Sequence, residues 1–380
     1  MAEGVKKGYS GIGGQAVLEG VMMKNGEKYA VAVRKPDGNI TVEVEHYAGI
    51  LHGSPVKKIP FIRGVFNFID SMILGMRAIN YSASFYDDES EKEARRDSKK
   101  VKNDSKKNGS SIVVTVISLI IAVGLFAVLP AYLAGLFDKF VRNDSLVAII
   151  EGVIRILIFL GYIIFISALK DIRRLYGYHG AEHKCIDCIE KGRILTVKNV
   201  TRSSRFHKRC GTSFLYLVVF ISVVLFIFIR VDTLWLRLLV RVLMIPVIAG
   251  ISYEVLSLAG KYDNIFITII SAPGIWIQHL TTREPDKHMI QVAIASVEAV
   301  FDWKAYLKDV YDYEVTDEMM GEDEEEDHIK LKYNFLKEEK DEFVSLQNPD
   351  DAILEEDDFE DGPELDEPDE DDWEDDSDNS

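Results

Sequence analysis

The stretch YHGAEHKCIDC, Tyr178 to Cys188, carries two histidines, two cysteines and two acids. On a helix His179 and His183 fall one turn apart on a single face, with Glu182 beside them. This is the H-x-x-E-H order, in which two imidazoles hold zinc and the carboxylate takes a proton from a water that the zinc activates. Such a site needs a third protein ligand. Glu254, in AGISYEVLSLAG, is the candidate, because an acid in an apolar membrane segment is costly and functional by default. A rival set uses Cys185-x-x-Cys188 and His207-x-x-Cys210, two short knuckles that suit a closed structural zinc with no position left for water. A mixed site, in which His179 or His183 is joined by Cys210, is a third possibility. Without a metal, the same residues describe a solvated helix end and small half-buried thiols.

Elements that place these groups together must cross a membrane. Four runs supply roughly the 20 apolar residues that a bilayer core demands: Ile112–Leu136, Leu146–Leu169, Thr212–Ile229 and Leu234–Ala259. No apolar run follows Met1, so the first span is expected to act as an internal anchor rather than a cleaved signal. Lys92–Lys107 holds eight Lys/Arg and Lys170–Arg209 holds eleven. Positive charge stays inside, so both segments and both termini are expected in the cytoplasm of a multi-pass cell-membrane protein. The three cysteines then meet a reducing compartment and are available to metal. On this topology Glu254 lies about 30 Å below the start of the fourth span, at the depth of the histidines.

The expected fold is mainly α, a polytopic membrane protein with four transmembrane helices, a small cytoplasmic β-hairpin unit and a disordered acidic tail. Residues 1–58 form the Gly-rich hairpin unit: Tyr29, Val31 and Val33 alternate, turn at Pro36-Asp37-Gly38 and resume at Ile40, Val42 and Val44. The preceding GIGGQAVLEGVMM predicts a turn before a strand or a small anion nest. Residues 59–85 predict an interfacial helix, 86–111 a charged linker, and 112–260 the membrane domain with its site-bearing loop at 170–211. Residues 261–312 predict a re-entrant segment broken at Pro273-Gly274, followed by an amphipathic helix capped by Asp286. Residues 313–380 form the tail. From Asp317 onward there are 31 Asp/Glu against 4 Lys, a net of −27, which leaves the rest of the chain at +9 of the overall −18. So acidic a segment lacks the apolar content to order itself and suits a basic protein partner or a solubilising role.

Glu151 and Arg155 form an i, i+4 pair in the second span, and Arg237 and Arg241 a one-turn stripe in the fourth. Charges in lipid pair across helices, so these predict a bundle-locking salt-bridge cluster. A transporter would string polar groups through every span, and the first and third have none.

GGQAVLEGVMM, YHGAEHK, HKRCGTSF, GISYEVLSLAG and APGIWIQHLTTREPD resemble the successive blocks of the YqhQ-like family of bacterial membrane proteins, a domain of unknown function labelled a predicted metal-dependent enzyme. The resemblance runs from about Gly11 to about Ala299. It places His179, Glu182, His183, Cys188, His207, Cys210 and Glu254 at block positions, with Cys185 this chain's own variant. The expectation is therefore a membrane-embedded zinc-dependent hydrolase at the cytoplasmic face. His179, His183 and Glu254 would be ligands, Glu182 the general base, and His207, Cys210 and Cys188 would complete or shape the site. The alternative is a non-enzymatic biogenesis or scaffolding factor with a structural metal. The bilayer is the expected partner, and nucleic acid is not.

Overall fold

Alternating apolar residues near the N-terminus build a full sheet rather than one hairpin. The computed structural model describes residues 8–86, 116–137 and 140–316, apart from 119, 142, 230, 232 and 263, together with 319 and 333–335. Strands β1 (Gly13–Val17), β2 (Gly20–Asn25), β3 (Lys28–Arg34) and β4 (Ile40–His46) form an antiparallel meander, and β5 (Tyr333–Phe335) lies parallel to β4. The hairpin expected at Pro36-Asp37-Gly38 is β3–β4. The glycine-rich stretch before it is itself a hairpin, turning at Leu18-Glu19, with Glu19 at φ 50°. Glycine lowers strand propensity, so β1 gave a weak signal and is held by its pairing with β2.

Both faces of the sheet are buried. Val21, Met23, Ala30, Ala32 and Val42 point to one side; Val17, Met22, Tyr29, Val31 and Val33 point to the other. Each large apolar side chain so buried stabilises the fold by roughly 1.5–3 kcal/mol. The second face is covered by α1 (Ile62–Ala83) through Leu74 and Ala78. On its outer side α1 carries Ile62, Ile69, Met72, Met76 and Ile79, each 37–50% exposed. At 100° per residue these form one continuous apolar stripe.

Among the described residues, four helices are long and apolar enough to cross a membrane: α2 (Val116–Gly135), α3 (Asp144–Ser167), α6 (Gly211–Phe228) and α7 (Leu234–Lys261). They match the expected runs to within a few residues. The first residues of the first expected run lie outside the described residues, as do the charged linker beyond Tyr86 and most of the acidic tail. Of the four charges expected to pair within these apolar helices, three form one cluster. Glu151 pairs with Arg155 (2.7 Å) and with Arg241, Arg155 also donates to Ser222 Oγ (2.9 Å), and both guanidinium groups lie over the Phe226 ring. Arg237 instead donates to the Val231 carbonyl (3.1 Å).

The remaining helices are α4 (Lys170–Glu190), α5 (Val197–Thr201), α8 (Ile265–Thr281), α9 (Lys287–Val300) and α10 (Trp303–Tyr311). Two expectations need correction. Pro273-Gly274 does not break the apolar segment into a re-entrant loop, because α8 runs through it. Its two ends reach neighbouring points, with Thr268 near Lys208 (3.5 Å) and Thr281 near Thr212 (3.3 Å). Further along, Ile277 and Leu280 of α8 pack with Tyr216 and Val219 of α6. The helix capped by Asp286 (Met289 N–H to Oδ1, 2.8 Å) is not amphipathic in its burial. From Met289 to Val297 every residue of α9 is buried, between the sheet on one side and α4 with α5 on the other. Its polar positions are absorbed inside: Ser296 donates to the Ala30 carbonyl and Gln291 accepts from Arg34.

Candidate metal centre

Helix α4 carries the H-x-x-E-H stretch and is nearly all buried from Tyr176 to Glu190. Two glycines let it seat so closely. A methyl group on Gly180 would overlap the carbonyl oxygen of Arg283, and one on Gly177 would lie 2.7 Å from Met289 Sδ. The same close approach delivers the Thr281 carbonyl to His179 Nδ1 (2.9 Å), while the loop before α6 delivers the Arg205 carbonyl to His183 Nδ1 (2.6 Å). A carbonyl only accepts, so each ring carries a proton on Nδ1 and turns Nε2 toward another partner. That is the tautomer found in metal-bound histidines.

The third donor is Cys210, the residue that caps α6. Its Sγ lies 3.2 Å from His179 Nε2 and accepts from the Thr212 N–H (3.4 Å). One ligand atom each from His179, His183 and Cys210 lie within 4.8 Å of one another. Zinc bonds of about 2.0 Å to nitrogen and 2.3 Å to sulfur span comparable separations. Imidazole and thiolate donors select zinc-like transition ions over magnesium or calcium. Burial alone would keep the Cys210 thiol protonated, but the two imidazoles outweigh it and hold its pKa well below the usual thiol range. Burial likewise opposes charge on His179, and the Cys210 sulfur overrides it, raising the imidazole to about 9. The residues therefore fit a soft divalent cation, whose binding would displace that proton.

Glu182 sits beside the trio, its Oε2 3.9 Å from His179 Nε2. It accepts from the Gly14 N–H, and burial raises its pKa above the ordinary carboxylate value. These groups, with His207, Arg209 and the segment Gly11–Gly14, line a cavity of about 220 Å³. The three candidate donors thus face a cavity with a carboxylate on its wall, so an ion held by them would keep a coordination position open.

Other expected ligands go elsewhere. Both Glu254 oxygens are held by Arg63 (2.7 and 2.6 Å), and one also accepts from the Phe61 N–H. Glu254 is therefore outside the donor trio, although the depth argument placed it at the same level. Depth says nothing of direction around the helix, and α1, packed against Gly250 and Tyr253, supplies the nearer partner. His207 lines the cavity without joining the donors: its Nε2 lies 3.6 Å from Glu190 and its ring centroid 5.9 Å from His183. Cys188 donates to the Ile194 carbonyl (3.4 Å), and burial pushes its thiol up to about 12. Cys185 is fully buried in the same core. The four-ligand knuckle is thus not assembled, and the mixed His–Cys set is the one brought together. Sequence reasoning missed Glu190, which binds Ser10 N–H (3.0 Å), Ser10 Oγ (2.9 Å) and Arg209. It also missed Gly14, for which only the glycine cluster gave a signal.

Sheet, helices and donor trio together define a membrane-helix protein with a His–His–Cys group that could hold a metal. The family model described as "Protein of unknown function (DUF1385)" matches residues 59–303, and the chain belongs to that family. It is 37% identical over 289 residues to "Uncharacterized protein YqhQ" of Bacillus subtilis (strain 168), covering 75% of this chain and 90% of that relative. No solved structure matches.

Proposed function

We propose that the protein is a membrane-embedded, metal-dependent hydrolase, zinc being the ion its donors suit best, working at the cytoplasmic face. His179, His183 and Cys210 hold the cation and Glu182 is the general base. The observation that carries this is the convergence of the three donors with both imidazole Nδ1 atoms already committed to backbone carbonyls. When bound, the cation supplies Lewis acidity and lowers the proton affinity of a water. Glu182, raised by burial, takes a proton at its carboxylate, and its Gly14 contact orients it. The orientation rests on the lysine- and arginine-rich segments that flank the spans, and the outer stripe of α1 suits contact with the bilayer surface.

A second reading, a structural metal in a scaffolding protein, is favoured by one feature: Cys210 is also the cap of α6, so a cation there would tie α4 to a membrane helix. The discriminating experiment is elemental analysis of purified protein together with hydrolysis assays. Wild type should carry one transition ion per chain, and His183→Ala and Cys210→Ala should lose it. Glu182→Gln should keep the ion while hydrolysis falls by about 10²–10⁴-fold. No stoichiometric metal in the wild type ends both readings; an Glu182→Gln protein as active as wild type ends the hydrolase.

A further inference from the structure

Among the described residues, strand β1 is the outer strand on its side of the sheet and pairs with β2 alone. Val17 opposes Gly20 across the two-residue turn. A closing pair of this kind exchanges both backbone hydrogen bonds, so Val17, Gln15 and Gly13 turn their polar groups to β2, while Gly14 and Ala16 turn theirs outward. Two contacts agree with this phase. The Gly14 N–H reaches Glu182, and the Leu18 N–H, two positions beyond Ala16, donates to Ser82 Oγ (3.2 Å).

Between those two anchored amides, the Gly14 carbonyl and the Ala16 N–H and carbonyl face away from the sheet. Gly13 and Gly14 are exposed, and nothing lies within 4 Å of where a Gly13 side chain would begin. Natural sheets blunt such an edge with lysine, proline or a bulge, because outward amides and carbonyls template another strand. Here the edge reads Gly-Gly-Gln-Ala, and it runs into the cavity that holds the donor trio and Glu182.

We propose that the substrate is a polypeptide in extended conformation, which adds to the outer edge of β1 and so brings one peptide carbonyl beside Glu182. This deepens the hydrolase reading and rests on it. Strand addition supplies affinity through main-chain hydrogen bonds and leaves side chains to set preference. The reaction is peptide hydrolysis: the oxygen of water bonds to the carbonyl carbon and the C–N bond breaks. Glu182 takes one water proton and passes it to the leaving nitrogen, giving one carboxylic acid and one amine, which ionise together to carboxylate and ammonium with no redox change.

The test uses the full chain in detergent, loaded with zinc, and fluorescein-labelled casein as an unstructured probe. Binding is read by anisotropy on Glu182→Gln protein, so the probe stays intact. Ala16→Pro removes an amide that faces away from β2, a place where edge strands tolerate proline. It should weaken casein binding at least tenfold with zinc content unchanged. Independently of that variant's folding, a casein-derived decapeptide N-methylated one position at a time should lose binding at alternate positions, the period of a paired strand. Binding unaffected by Ala16→Pro, or losses without that period, overturns the edge. Hydrolysis of p-nitrophenyl acetate that needs Glu182, with no casein binding, also overturns the edge but keeps the hydrolase. Binding with the two-residue period and no cleavage by wild type supports the edge and sinks the hydrolase.

Discussion

Glu190 is the buried acid on which the cavity wall depends. Burial opposes its ionisation, but His207, Arg209 and the Ser10 N–H outweigh it and hold its pKa well below the usual carboxylate value. A carboxylate depressed in the folded state contributes stability that is present above the unfolded value, about 4.3, and is lost as pH falls through the folded one. Glu190→Gln should therefore melt below wild type at neutral pH, and the gap should narrow as pH drops under about 4.3. A gap that stays constant across acid titration would show that Glu190 is not ionised in the fold. Glu254 makes the complementary point. Its carboxylate is spoken for by Arg63 and the Phe61 amide, so Glu254→Gln should leave bound metal intact while loosening α1 from α7. Metal lost in that variant would restore Glu254 to the coordination sphere.

Helix α4 works as an element because two glycines let it touch backbone. Gly180→Ala would drive a methyl into the Arg283 carbonyl, and overpacking of this kind typically costs about 1–3 kcal/mol. Since the neighbouring Thr281 carbonyl orients His179, metal affinity should fall along with the melting temperature. Unchanged melting and unchanged metal content together would mean that α4 is not seated as described. Helix α1 is two-sided in another sense, with Leu74 and Ala78 against the sheet and an apolar stripe outward. A nitroxide at Met76 should be reached by oxygen, which partitions into lipid, more readily than by a water-soluble nickel chelate. Equal access to both would remove α1 from the bilayer surface.

At the scale of the molecule, the donor trio joins the sheet-bearing unit to the membrane helices. His179 and His183 ride on α4, packed against the sheet, whereas Cys210 caps a helix apolar enough to span a bilayer. The proposed orientation rests on the basic segments that flank the spans and is directly measurable. A cysteine at Lys208 should react with an impermeant maleimide only in inverted vesicles, and one at Val231 only in right-side-out vesicles. The reverse pattern would put the site outside the cell.

Hydropathy alone identified the four apolar helices, because a bilayer demands run length and composition, both visible in one dimension. Alternation similarly revealed β3 and β4, and residue type with i, i+4 spacing singled out His179, Glu182 and His183. Membership of the family was legible in the same blocks. What only the tertiary structure decided is the third donor and the company of every other polar group. Cys210 joins the histidines because the loop before α6 folds back over α4, and Glu254 does not because Arg63 on α1 reaches it first. Neither fact has a signature along the chain. Ligand sets, edge exposure and backbone partners such as the Thr281 and Arg205 carbonyls depend on direction around helices and on contacts between distant segments, and periodicity carries neither.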